Sequence, residues 1–185
     1  HATRGLTIER TVIHASGAMA LICENSEEIT LNGFDVRLRE GSGRFISASA
    51  DATHFVNCRG TIRFDGCLFE NMLDDATNVH GTYLKVERVV DDRTLIARLN
   101  HPQQFDYDFA AAGDEIRVVA ARPLAPKGGN RVAACRKLNE VHTEIVFEEP
   151  VTGVVPGDGL ENVSWYPELT FRNNVVRNNR ARSIL

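Results

Sequence analysis

Ile62-Arg-Phe64-Asp-Gly-Cys-Leu-Phe69 decides the fold, because the same register recurs at three other places in the chain. Leu6-Thr-Ile8-Glu-Arg-Thr-Val-Ile13, Ile29-Thr-Leu31-Asn-Gly-Phe-Asp-Val36 and Leu169-Thr-Phe171-Arg-Asn-Asn-Val-Val176 align with it without gaps. The first, third and eighth positions are apolar in every copy. Between the third and the eighth comes a turn: Asn32-Gly33, Asp65-Gly66 or Arg172-Asn173. Alternation at period two followed by Asn-Gly or Asp-Gly reads as a strand and a corner. A β-hairpin accounts for one such turn but not for the shared register of all the copies.

A second overlay lengthens the unit. Ala18-Met-Ala-Leu-Ile-Cys-Glu-Asn-Ser-Glu-Glu-Ile29 matches Asp51-Ala-Thr-His-Phe-Val-Asn-Cys-Arg-Gly-Thr-Ile62, and Asp51-Ala-Thr returns 24 residues later as Asp75-Ala-Thr. A unit of that length holding two or three short strands is one rung of a parallel β-helix. Leucine-rich repeats have a similar period but need a dense leucine and asparagine pattern that this chain lacks. Arg37 to Ala50 enlarges one rung, and such excursions lie on one face of a solenoid, often the binding face.

From Thr82 to Glu161 the repeat vanishes. Short alternating runs replace it, at Tyr83–Val90, Thr94–Leu99, Asp114–Val119 and Val141–Phe147, divided by Asp91-Asp92, Gly113-Asp114, Gly128-Gly129-Asn130 and Pro156-Gly157-Asp158. The expected fold is all-β: a right-handed parallel β-helix over residues 1–81 and 162–185, interrupted by a small antiparallel β-barrel over 82–161. The repeat stops at Leu185 without the polar cap a solenoid needs. A piece of a longer helix is therefore expected, whose open strand edges invite self-association. His1 stands where a methionine would begin a whole chain, as expected of a processed or partial sequence.

Composition narrows the function. A net charge of −4 leaves no basic footprint for nucleic acid, and the apolar runs are too short to cross a bilayer as helices. Cys23, Cys58, Cys67 and Cys135 show neither CxxC nor Cys/His metal spacing and are expected as buried small hydrophobes.

The column of the second overlay reads Ala18, Asp51, Asp75 and, after the interruption, Arg182. Adjacent rungs are about 4.8 Å apart, so Asp51 and Asp75 stack. Like charges stacked this way repel, which suits proton-handling chemistry better than structure. Asp74 precedes Asp75 and points elsewhere along an extended chain. Glycosidic hydrolysis needs one carboxylic acid at the leaving oxygen and a carboxylate at the other face of the sugar. The bland reading is that aspartates bind their own backbone at solenoid turns. The doubled Asp-Ala-Thr argues against it, because it lies outside the turn column. A calcium site lacks further acidic ligands nearby. No metal and no cofactor are expected.

Glu70-Asn-Met-Leu-Asp-Asp-Ala-Thr-Asn-Val-His-Gly81 resembles the signature of glycoside hydrolase family 110, the bacterial α-1,3-galactosidases. Phe171-Arg-Asn-Asn-Val-Val-Arg-Asn-Asn-Arg-Ala-Arg182 resembles the next rung of that family, and the barrel after His80-Gly81 fits too. Ser183 departs from it, standing where glycine is expected. The resemblance covers nearly the whole chain and implies inverting, metal-independent release of terminal α-1,3-linked galactose from a glycan. It maps the catalytic set onto Asp51, Asp74 and Asp75. A parallel with the polygalacturonases makes Asp74 the acid, with Asp51 and Asp75 the base pair. It also implies a periplasmic or secreted enzyme.

The supporting residues have two readings each. His80 either bonds a sugar hydroxyl or closes the rung. His54 is either structural or substrate-binding. Asn78 reaches the sugar or satisfies backbone. Arg180 is solvated or binds substrate, Arg182 binds substrate or tunes Asp75, and Trp165 stacks on sugar or seals a junction. Two other function classes stay open. One is a polygalacturonase-like hydrolase or β-helix lyase, disfavoured by the acidic balance. The other is a non-catalytic glycan-binding fragment.

Overall fold

A computed structural model describes residues 2–185, and His1 lies outside the described residues. The chain is all-β apart from two single-turn 3₁₀ helices, and it divides into two compact units. One unit runs up to His80 and resumes over Tyr166–Leu185; the other is Gly81–Trp165.

The first unit begins with β1 (Thr7–Ile13), β2 (Leu21–Glu24), β3 (Glu27–Val36), β4 (Thr53–Val56), β5 (Arg59–Asp65), β6 (Leu68–Glu70) and β7 (Thr77–His80). All their pairings are parallel. β1 lies on β3 and β3 on β5 and β6, while β2, β4 and β7 form a second sheet. The repeat is the register: Leu31 pairs with both Ile8 and Phe64, and Val36 with both Ile13 and Phe69.

The corners of the repeat explain its turn column. Arg10, Gly33, Gly66 and Asn173 occupy equivalent positions, and all have positive φ, between 46° and 65°. A left-handed residue between two extended segments turns the strand without a hairpin. A second ladder of left-handed asparagines, Asn25 and Asn57, is joined by Asn57 Nδ2 donating to Asn25 Oδ1 at 2.8 Å.

The apolar columns fill the interior. Ile29, Leu31, Val36, Phe55, Ile62, Phe64 and Phe69 are wholly buried. Phe64 packs edge-on to Phe55 and Phe69 and lies 5.2 Å from Phe171 between ring centres. Cys23, Cys58 and Cys67 are buried free thiols in this core, whereas Cys135 is only half-buried. For Cys58, burial pushes the thiol up to about 11, so it stays protonated and packs as a small hydrophobe.

One sequence reading needs correction. The gapless overlay set Ala18 against Asp51. The pairing Leu21 with Thr53 instead brings Met19 level with Asp51, so Ala18 is not in the aspartate column. The overlay slips because the strand irregularity between Glu27 and Ile29 matches two residues there against three before Ile62. Gly60, at φ 67°, is the extra residue, and a Cβ on it would meet Glu28 Oε1 at 2.2 Å.

The second unit is a closed barrel of β8 (Tyr83–Val89), β9 (Thr94–Leu99), β10 (Glu115–Val119), β11 (Pro126–Lys137), β12 (His142–Phe147) and β13 (Gly159–Asn162), all antiparallel, in the order β10-β11-β12-β9-β8-β13. Leu84, Leu95, Ile116, Val132, Ile145, Phe147 and Leu160 are wholly buried or nearly so. Gly128-Gly129-Asn130, read from sequence as a separating turn, instead lies inside β11, the longest strand of the chain. Glycine is needed there for close approach: a Cβ on Gly129 would sit 3.3 Å from the Ile116 carbonyl oxygen, beside an irregularity in the β10–β11 pairing. Residues 162–165, expected to resume the repeat, are tied to the barrel. Asn162 Nδ2 and Trp165 Nε1 both donate to Asp114 Oδ2, at 2.9 and 3.2 Å.

The chain then returns to the first unit with β14 (Glu168–Arg172) on β5 and β15 (Val175–Arg177) on β6, both parallel. Among the described residues no helix is long and apolar enough to cross a membrane.

Candidate active site

Strands β4 and β7 fix the aspartates. They pair in register from Thr53 with Thr77 to Val56 with His80, and the ladder runs on ahead of them: the Ala52 amide donates to the Asp75 carbonyl at 3.0 Å. Beyond β7 the amide of Ala76 donates to the carbonyl of Arg182 at 3.0 Å. Asp51, Asp75 and Arg182 therefore stand on three successive layers. The repeated Ala-Thr after each aspartate is buried, which sets the rung against the core and holds the neighbouring carboxylate in place.

Each carboxylate has a different environment. Asp75 is 1% exposed and receives three donors from Arg182: Nε at 3.0 Å, Nη2 at 3.0 Å and the main-chain amide at 2.8 Å. A two-pronged guanidinium pair fixes both oxygens. In return, the hydrogen bond to Asp75, with added charge from Asp74 and Asp51, pushes Arg182 still higher than an ordinary arginine. Asp51 is 4% exposed; its Oδ2 lies 2.6 Å from His54 Nδ1, and its Oδ1 accepts the Asp75 amide at 3.3 Å. Asp74 is exposed and, among the described residues, makes no side-chain hydrogen bond or ion pair. One oxygen of each of the three lies within 4.8 Å of the others.

This acidic group is the one among the described residues close enough to hold a cation. An ion there would share Asp75 with a guanidinium that already donates to both of its oxygens. The arrangement sets two fixed, buried carboxylates beside a third that is exposed.

The flanking residues separate. His54 joins Asp51, and His80 Nε2 lies 2.9 Å from His54 Nε2. Asn78 pairs with His54 across the strands, and its Oδ1 is buried with no hydrogen-bond partner. Arg182 binds Asp75, so its guanidinium is engaged by the acidic group. Arg180 is exposed, held through its main-chain amide to the Met72 carbonyl at 3.2 Å. Trp165 belongs to the barrel unit, where it donates to Asp114. The Asp51–His54–His80 chain escaped sequence reading. Its signal was present: period two along β7 sets His80 on the same side as Asn78, which is opposite His54.

A family profile described as GLAA-B beta-barrel domain II matches residues 94–160, within the barrel. The chain is 41% identical over 97% of its length to an α-1,3-galactosidase B of Phocaeicola vulgatus, of which it covers 32%. It is 42% identical over 98% of its length to an α-1,3-galactosidase B of Akkermansia muciniphila, covering 23% of that protein. An α-1,3-galactosidase A of Shewanella woodyi is 33% identical over 99% of the chain, which spans 30% of it. The chain thus spans a third or less of the curated relatives it matches, and over nearly its whole length it is similar to a segment of these α-1,3-galactosidases.

Proposed function

We propose that the chain carries the catalytic centre of an inverting, exo-acting α-1,3-galactosidase that removes terminal galactose from glycans. The single observation behind this is the division among three close carboxylates: Asp51 and Asp75 buried and each held by donors, Asp74 exposed and unbound. In this reading Asp51 and Asp75 orient the water and take its proton, and Asp74 protonates the leaving oxygen. The stacked parallel strands are turns of a right-handed parallel β-helix, with the barrel as an insertion. Arg182 positions Asp75. Asn78 and exposed Arg180 are candidate contacts to sugar hydroxyls. No metal or cofactor takes part. Substrates of this kind are met outside the cytoplasm, which fits a periplasmic or secreted enzyme.

A retaining reading has one observation in its favour. The nearest oxygens lie within 4.8 Å, whereas inverting enzymes keep their carboxyls roughly 6.5–9.5 Å apart. In the inverting reading a water stands between the sugar and the two buried carboxylates, so neither of them attacks carbon itself. Free-swinging Asp74 is the group that can widen the gap when sugar enters.

The test uses the longest natural chain that contains these residues. α-1,3- and α-1,4-linked galactosides and galacturonan are offered with and without chelator, and the product anomer is followed by NMR. β-Galactose appearing first from the α-1,3 linkage, insensitive to chelator, supports the reading; α-galactose first makes the enzyme retaining. Asp→Asn at 51, 74 or 75 is expected to cut turnover about 10²–10⁴-fold. A substrate with a very good leaving group should partly rescue Asp74→Asn alone.

A further inference from the structure

We propose that His54 and His80 are positioning residues for Asp51: His80 fixes the tautomer of His54, and His54 fixes one oxygen of the base. This rests on the reading of Asp51 as a base in the proposed function, and it moves both histidines out of the sugar-binding set.

A carboxylate only accepts, so His54 Nδ1, 2.6 Å from Asp51 Oδ2, carries a hydrogen. The two Nε2 atoms of His54 and His80 are 2.9 Å apart, with the rings set nearly edge to face at 81°. Only one hydrogen fits between them. When His54 is neutral its Nε2 is bare, and His80 must supply that hydrogen. The His80 N–H therefore stabilises the one neutral tautomer of His54 that points a donor at Asp51. The opposite tautomer would turn a lone pair on the carboxylate.

The consequence is a base with one oxygen committed. Oδ2 is pinned by a short bond from a ring only 14% exposed. Oδ1 receives only a long bond from the Asp75 amide, at 3.3 Å, and so keeps a lone pair for water. Both nitrogens of His54 and one of His80 are occupied in the chain, which leaves His54 nothing to offer a sugar. Partners that orient a reacting group from behind typically change rate by about 10–100-fold.

Donor-preserving and donor-removing variants separate this role from a structural one. In asparagine the amide nitrogen stands in for Nδ1, and in glutamine it stands in for Nε2. In the longest natural chain, acting on an α-1,3-linked galactobiose, His54→Leu is expected to lower kcat about 100-fold and His80→Leu about 10-fold, with KM nearly unchanged. His54→Asn and His80→Gln should recover most of each loss. A scalar coupling between the two Nε2 nuclei should be seen in the ¹⁵N-histidine-labelled protein and be absent from either leucine variant. If the donor-preserving variants are no better than leucine, or the native coupling is absent, the proposal is overturned. If His80 variants raise KM and spare kcat, His80 is a sugar ligand instead. Asp51→Asn is run alongside. Normal turnover there overturns the base reading and the histidine role together; lost turnover with indifferent histidine variants overturns the histidine role alone.

Discussion

Replacing Arg182 with methionine tests whether the carboxylate stack is held by its cation. The change keeps the unbranched stem and deletes two charge-assisted bonds of 3.0 Å to a carboxylate that is 1% exposed. Removing one partner of a buried ion pair costs about 3–5 kcal/mol, because the other charge is left stranded. Two features lower that figure here. The Arg182 side chain is 58% exposed, so water already screens it, and the main-chain amide at 2.8 Å still donates to Asp75. The expected loss is therefore about 2 kcal/mol. Fluorescence is the wrong probe, since the one tryptophan, Trp165, lies in the barrel unit. Amide exchange at Ala76 and Thr77 is the right one, because their N–H groups bond the carbonyls of Arg182 and Ser183. Asp75→Asn and the double variant complete a cycle, in which the pair should show a coupling of about 1.5–2 kcal/mol. A loss under about 0.5 kcal/mol, or strict additivity in the cycle, would refute the claim that Arg182 is what makes a buried Asp75 tolerable.

Two further outcomes follow from the fold. Gly60→Ala should destabilise the chain by about 1–2 kcal/mol in urea, since φ is 67° and the new Cβ meets Glu28 Oε1; Glu28→Ala in the same chain should relieve the steric part and leave the backbone part. In the barrel, burial alone would raise the Asp158 carboxyl, but Lys127 Nζ at 2.7 Å and the Val155 amide overcome it and hold the group below the ordinary carboxylate range. A depressed carboxyl gives stability that is present above its unfolded range and lost as pH falls through the lowered folded one. Lys127→Met should therefore lose about 1–2 kcal/mol at neutral pH and show a shallower loss between neutral and acid, measured by urea titration across pH.

The register of the first unit was legible because residue type and geometry agree at the repeating positions. Glycine at 33 and 66 and asparagine at 173 mark a left-handed corner that their chemistry favours. Arg10 holds the same conformation with no such preference, and only the alignment of its neighbours reveals it. Where glycine serves a different purpose the reading fails. At Gly129 it admits a neighbouring carbonyl rather than making a turn, and at Gly60 it adds one residue that a gapless overlay cannot see. Composition alone does not distinguish these uses, because each depends on what lies across the sheet.

The site divides along the same line. Asp51 and Asp75 were visible because they share a column, and Arg182 because it continues it. The histidine chain was not visible, because His54 and His80 fall two residues out of register and meet only through their side chains. That offset also explains why the arrangement is chemically useful. Residues in register on parallel strands stack like on like, which for carboxylates means repulsion that a cation must offset. His80 stands one alternation beyond Asn78, the residue in register with His54, so it lies on the same side of the sheet and reaches His54 diagonally. Stacked parallel strands therefore set in-register positions along columns and offset positions along diagonals. Asp75 with Arg182 is the column case and His54 with His80 the diagonal one, so exchanging Asn78 and His80 should break the chain of contacts while leaving composition and register unchanged.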